Sequence, residues 1–361
     1  MSESDELISF IASMSGEGAL RVEENLGEGF VRLRVAEAER RQAKHDIRHV
    51  EDIVVEMLRN ARDAGADRIY IATAKEEGVR TLLFIDNGSG VPRDMQERIF
   101  DARVTSKLES MRMDKWGVHG RGMALYSIRE NVLDAHVVTS DVDMGSSFSV
   151  TVDCASLPER ADQSTWPTAA KNDDGVYRCV KGPHNIVRAA GEFALEELRT
   201  CDVYIGSPTE IAATLYKHAQ RSIDPSRLVF IDDCEELPVV ERLGTSADAA
   251  DFIRIARSLG LDLSERTAHR ILAGTIVPLR SVSARLLRER DEAGHRERDV
   301  DLLKDRRGLK ISRDDVEEFS RALERTFSSL GNKYYVSLAS APKVRVSKDK
   351  ITVTFDIDKG E

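Results

Sequence analysis

The chain has 361 residues, 41% hydrophobic and 32% charged, with a formal net charge of −10. That balance describes a globular chain long enough for two domains with real cores, and it argues against broad, nonspecific nucleic-acid binding. Nothing approaches 18 consecutive apolar residues, so no membrane span is expected, and the widely spaced Cys154, Cys179, Cys201 and Cys234 fit reduced thiols rather than a zinc or disulfide set. The acidic start Met1-Ser2-Glu3-Ser4-Asp5-Glu6 lacks the positive segment of a signal peptide. A cytoplasmic location is expected.

In chain order, residues 1–14 predict a short amphipathic helix. Leu20 to Glu24 and Phe30 to Val35 predict two strands around the turn Leu26-Gly27-Glu28-Gly29. A helix from about Ala36 is expected to run, with a break, until Gly65 ends it as a C-cap glycine. On its last turns Ile53, Val54, Met57, Leu58 and Ala61 recur at helical spacing. Strands follow at Arg68 to Thr73 and Thr81 to Ile85. Residues 92–116 are too long for plain loop unless function needs them; a short helix is expected near Asp94 to Phe100. Met123 to Asn131 predicts a helix, and Ala135 to Thr139 and Ser147 to Val152 predict strands.

Three short motifs lie on these elements. Glu56 and Asn60, four residues apart, share a helix face. A carboxylate beside an amide oxygen suits magnesium chemistry, with the carboxylate able to take a proton from water; the pair also fits an ordinary surface pair on an amphipathic helix. Asp86-Asn87-Gly88-Ser89-Gly90 follows a strand and has the composition of a tight turn needing positive φ. Gly117-Val118-His119-Gly120-Arg121-Gly122 runs into a helix and reads as a phosphate cradle or as a flexible loop.

Together, in this order and at these distances, the motifs resemble the GHKL superfamily of gyrase B subunits, large heat-shock chaperone ATPases, histidine kinases and MutL mismatch-repair proteins. The resemblance covers about residues 40–153. Glu56 and Asn60 match the N box, Asp86, Gly88 and Gly90 the G1 box, and Gly117, Gly120 and Gly122 the G2 box. Phe100 sits where a histidine-kinase F box would be, and Thr105-Ser106-Lys107 resembles a segment of MutL proteins and kinases. Gly145-Ser146-Ser147-Phe148-Ser149-Val150 resembles the closing glycine-hydroxyl strand.

This resemblance implies an α/β two-layer sandwich, a mixed sheet under helices, of the Bergerat ATP-binding type. It implies Glu56 as general base and Asn60 as ligand of Mg2+. Asp86 would read adenine, Gly88 and Gly90 would allow close approach, and Lys107 would reach phosphate from a lid. Gly117, Gly120 and Gly122 would hold the phosphates, with Asp63, Val91, Val118, His119, Arg121, Met123 and Ser146 also at the nucleotide. Asn60-Ala61-Arg62-Asp63-Ala64-Gly65-Ala66 reads like the MutL branch, whereas Glu97 to Lys107 reads more like a kinase. Many kinases carry an amide where Glu56 stands, which favours hydrolysis.

The expected organisation is an ATP-binding domain over 1–155, a linker over 156–175, and a mixed α/β, partly helical output region over 176–361. In that region Val176 to Val180, Asp202 to Ile205 and Leu228 to Ile231 predict strands. Glu210 to Gln220 predicts a helix capped by Ser207-Pro208-Thr209. Leu263 to Leu272 reads either as a helix-turn-helix recognition segment or as a capped amphipathic helix. A helix near Arg313 to Leu330 and strands at Tyr335 to Leu338 and Ile351 to Ile357 close the chain. The expected activity is slow ATP hydrolysis coupled to a lid or homodimer switch, with a protein or DNA partner on the output region and no membrane. A histidine kinase-like phosphotransferase and a nonhydrolysing nucleotide sensor are the alternatives. His45 superficially resembles a kinase phosphoacceptor but lies too close to Asn60 for a separate dimerisation hairpin.

Overall fold

The structure, a computed structural model, describes residues 22–33, 41–43, 45–106, 112–114, 117–119, 122–172, 174–223, 233–287, 319–327, 336–347 and 350–358. The chain forms two compact units, Met1–Asp291 and Glu292–Glu361. In the first, a hairpin of β1 (Val22–Gly27) and β2 (Phe30–Leu33) turns where Gly27, Glu28 and Gly29 all take positive φ. The helix α1 (Val50–Asp63) follows. Asp52 accepts the His49 backbone N–H at its start, and acidic Glu51 and Asp52 suit the positive end of its dipole. Gly65, at φ +77°, ends it.

The core of the unit is a five-stranded mixed sheet. It comprises β3 (Arg68–Glu76), β4 (Val79–Asp86), β8 (Asp134–Ser140), β9 (Ser146–Asp153) and β12 (Asp202–Gly206), in the order β12-β3-β4-β9-β8. β12 runs parallel to β3; the other neighbours are antiparallel. Successive side chains leave a strand on opposite faces, and here both faces are buried. Ile69, Ile71, Leu82, Phe84, Val203 and Ile205 join α1 and α3 (Ile186–Glu196) in one core. Tyr70, Ala72, Leu83, Ile85 and Tyr204 join a second core with α4 (Pro208–Ser222), α5 (Ala249–Ser258) and α6 (Glu265–Leu272). The expected sandwich of helices on a mixed sheet is present, and residues from the second half add a further helical layer on its other face.

That layer changes the expected organisation. The proposed linker, 156–175, lies inside the first compact unit, whose limit is Asp291. Polar groups fasten it there. Val50 N–H donates to Pro158 O at 3.2 Å, and Arg160 N–H and the Gln163 amide donate to buried Glu51. Gln163 in turn accepts the first N–H of α3, at Ile186, at 2.8 Å. The segment even supplies a strand, β10 (Thr168–Lys171), paired with β11 (Tyr177–Lys181).

Smaller differences are local. The helix expected near Asp94 to Phe100 is two 3-10 turns, Arg93–Met95 and Arg98–Phe100. The strand expected over Leu228 to Ile231 and the helix over residues 1–14 lie outside the described residues. In the second unit, residues 319–327 are helical. The strand expected over Ile351 to Ile357 is divided between Lys350–Thr354, paired in a hairpin with Lys343–Ser347, and Ile357–Asp358, paired with Ser337–Leu338. The Phe327 and Phe355 rings stack at 5.1 Å.

Candidate functional site

Glu56, Asn60 and Asp63 lie on the last two turns of α1. Glu56 Oε1 accepts a hydrogen bond from Arg59 Nη1 at 2.8 Å, three residues on. The Arg59 side chain is 3% exposed and that of Glu56 21%, so this pair is held where water screens it poorly. The Asp63 side chain is buried against the Arg62 guanidinium, which also reaches Glu197 at 3.6 Å. Asp63 thus sits in an ion pair that joins α1 to the turn after α3.

Asp86 ends β4 as a buried carboxylate. Its Oδ1 accepts Gly88 N–H at 2.8 Å and its Oδ2 accepts the Ser146 hydroxyl at 2.5 Å. Two hydrogen bonds, one to each oxygen, fix the plane of the carboxylate. Asn87 braces the turn from the other side: its Oδ1 accepts the Asp67 and Arg68 N–H groups, and its amide donates to Asp67 at 2.6 Å. Ser89 N–H donates to Ala64 O, the residue after α1, at 2.9 Å. The first two motifs are therefore brought together directly.

Gly90 has no substitute. It takes φ +70°, and a Cβ there would lie 1.9 Å from Asp141 O. This is where the turn after β4 crosses the turn between β8 and β9. Val91 N–H donates to Ser140 Oγ at 2.7 Å, and that hydroxyl donates to Gly145 O at 2.8 Å. Asp143 N–H reaches Ser89 O at 2.7 Å. On this turn the Asp141 carboxyl is held below its ordinary value, first by the Val142 N–H and then by Arg93.

The third motif departs from its expected form. Gly117–His119 is a strand, β7, paired with β6 (Arg112–Asp114), so this part of the glycine-rich run is half of a hairpin rather than an open loop. Glycine tolerates extended backbone as well as turns. Lys107, Gly120 and Arg121 lie outside the described residues. Gly122, at φ +66°, accepts Arg103 N–H at 2.8 Å, and Met123 caps the start of α2 (Ala124–Asn131). α2 packs on α1 and on the 98–100 turn, where Arg129 lies 5.3 Å over the Phe100 ring.

Sequence reasoning missed Arg59, Arg103 and Ser140. Arg103 is buried and takes φ +64°, a costly conformation for a side chain with a Cβ; it bridges β2, through Leu33 N–H to its carbonyl, and Gly122. No local pattern marks it. Arg59 could have been found, because a cation three positions from the Glu56 carboxylate on a helix is within ion-pair reach.

Residues 45–156 match the family described as histidine kinase-, DNA gyrase B-, and HSP90-like ATPase. A DNA mismatch repair protein MutL from Pediococcus pentosaceus is 40% identical over 94 residues, 25% of this chain and 14% of that protein. MutL from Thermodesulfovibrio yellowstonii is 35% identical over 105 residues, covering 27% and 19%. The matched stretch is thus under a fifth of the length of these two relatives. Among solved structures, full-length ShkA in complex with AMPPNP aligns at 19% identity and a TM-score of 0.23, over 56% of this chain and 37% of that one. The family match takes in α1, the Asp86 turn, α2 and the β8–β9 pair, which are the elements assembled above. Residues 45–156 of this chain are a domain of the GHKL ATPase superfamily.

Proposed function

We propose that the chain binds ATP between α1 and the turn after β4 and hydrolyses it slowly with Mg2+. The observation that carries this reading is Asp86: a buried carboxylate, oriented by Gly88 and Ser146, at the end of a central strand beside glycines that permit backbone approach. Such a group is suited to accept from an exocyclic amine and would reject a carbonyl in its place. Glu56 is the proposed base on an in-line water, with Arg59 fixing one of its oxygens.

The donor set fits magnesium. Among the described residues no group of three or more His, Cys, Asp and Glu could hold a metal. A cation here would take the Asn60 amide oxygen and otherwise phosphate and water oxygens, as Mg2+ does. It would neutralise charge on the transferred phosphoryl group. Asn60 would hold it, Glu56 would accept the proton of water, and Gly122 and the start of α2 would present backbone N–H groups to phosphate.

A nucleotide lid within 92–116 belongs to the same proposal, with Met95, Ile99, Phe100 and Val104 of that segment buried in the core. Dimerisation on ATP and a DNA or protein partner for the second half are part of the same proposal, by analogy with the MutL relatives. A nonhydrolysing sensor is the second reading. The Arg59 pairing favours it, because the guanidinium occupies one of the two Glu56 oxygens at 2.8 Å. Calorimetric titration with ATP and GTP, together with phosphate release with and without Mg2+, tests the proposal. Equal ATP and GTP affinity would remove the adenine reading; tight ATP binding without turnover would leave the sensor.

A further inference from the structure

Residues 233–245 lie well outside the family domain, yet they hold its adenine-side turn. Val239 N–H donates to Met144 O at 2.8 Å, on the turn between β8 and β9. Arg242 is 3% exposed and its guanidinium joins its own segment, through the carbonyls of Leu237 and Glu235, to β8. Its Nη1 donates to Thr139 Oγ1 on β8 at 2.9 Å, while its Nε donates to Leu237 O at 3.1 Å. Arg93, beside the Asp86 turn, pairs with Asp141 at 3.0 Å and reaches Glu235 at 3.7 Å. From the turn held in this way, Ser140, Asp141 and Gly145 contact Gly90, Val91 and the carbonyl of Asp86.

Burial presses the Arg242 guanidinium below its ordinary value, opposed by Cys234, Glu235 and Asp233. A buried cation is costly unless its hydrogen bonds are fixed. A chain that needed only apolar cover over the sheet could place a leucine there.

We propose that Arg242 is a positioning residue for the adenine pocket: through Thr139 it fixes the Asp141–Gly145 turn, and that turn fixes the geometry of Asp86 and Gly90. Arg242 touches no nucleotide in this scheme. It sets ATP affinity and the preference for adenine over guanine from a segment that the superfamily domain does not include. The inference rests on the proposed adenine role of Asp86.

The test uses the full chain in three forms: the parent, Arg242→Gln and Thr139→Val. Thr139→Val removes one acceptor at nearly constant volume and keeps the protein testable if Arg242→Gln does not fold. Titration with ATP and GTP gives affinities, and thermal melting without nucleotide gives stability. The expected result is ATP affinity weaker by about tenfold for Arg242→Gln and about threefold for Thr139→Val, with a smaller ATP-to-GTP ratio in both. A merely structural role would lower the melting temperature and leave both quantities unchanged in the folded variants; that result overturns the proposal. If the parent itself binds ATP and GTP equally, the adenine reading of Asp86 fails instead, which the parent titration shows before any variant is made.

Discussion

The two faces of the central sheet are built by different rules. On the α1 face, the proposed function rests on polar groups of the helix, Glu56 and Asn60, and of the turn after β4, Asp86 and the glycines beside it. On the opposite face Tyr70, Leu83, Ile85 and Tyr204 meet Ile211, Leu215, Phe252 and Ile255, nearly all of it apolar packing. The first face is specified by short motifs whose members lie a few residues apart. The second is specified by shape and apolar area, which for Tyr70, Leu83 and Ile85 comes from residues more than a hundred positions away. The proposed site therefore tolerates little chemical change, whereas the packed cores on both faces tolerate little change in volume.

The sharpest break between the faces is expected at Asp86. Asp86→Asn should weaken ATP binding by about 1,000-fold or more, because a donor would stand where an acceptor is needed. Calorimetry reads it; an affinity within threefold of the parent would remove Asp86 from the site.

Glu56→Ala should lower turnover by about 100- to 1,000-fold while ATP affinity stays within about threefold, since a base acts in the transition state more than in the ground state. Single-turnover phosphate release separates the two. Loss of affinity with turnover per bound ATP intact would place Glu56 on the ligand rather than on water.

Phe252→Ala, on the other face, should cost about 3–4 kcal/mol of stability, because Phe252 is fully buried with its ring 5.6 Å from that of Tyr216. Denaturant unfolding measures this. ATP affinity of the folded variant should hold within about threefold, since Phe252 belongs to the apolar cluster on the face away from the proposed site; a collapse of affinity would show that the two faces do not act separately.

Ser147→Ala should cost only about 1 kcal/mol, by removing the hydroxyl that donates to Leu259 O at 2.8 Å and pins β9 to the end of α5. A loss above 3 kcal/mol would mean that this bond organises the whole layer.

The smallest effect expected is a pH dependence on the second face. His218 Nδ1 lies 2.7 Å from the Tyr70 hydroxyl, and burial, followed by Arg68 and Arg221, lowers its value below 6.5. The unfolded chain then binds a proton more readily than the folded one, so stability is full above about pH 6.5 and falls as pH drops through the folded value. His218→Gln should flatten the acid side of the stability profile; an unchanged slope would assign it to other groups.

Much of the first face was legible. The helical spacing of Ile53, Val54, Met57, Leu58 and Ala61, the turn after Ile85 and the glycine at 65 are local properties, and the structure places α1, β4 and Gly65 accordingly. The third motif was less so, because glycines at 117, 120 and 122 fit a cradle and a hairpin equally well. The second face was half visible. Leu82-Leu83-Phe84-Ile85 is apolar at every position, the mark of a strand buried on both sides, yet nothing in the run says which later segment covers it.

The sequence by itself determined the family, the order of the motifs and the elements that bear them, because helix periodicity, turn chemistry and motif spacing act within a few residues. Only the tertiary structure decided that β12 extends the same sheet, that 156–175 is stapled to α1 rather than left as a linker, and that Arg59, Arg103 and Arg242 brace the candidate site. These depend on contacts between segments far apart in the chain, where the free energy comes from burial and from hydrogen bonds shielded from water, and no local pattern encodes which partners will meet.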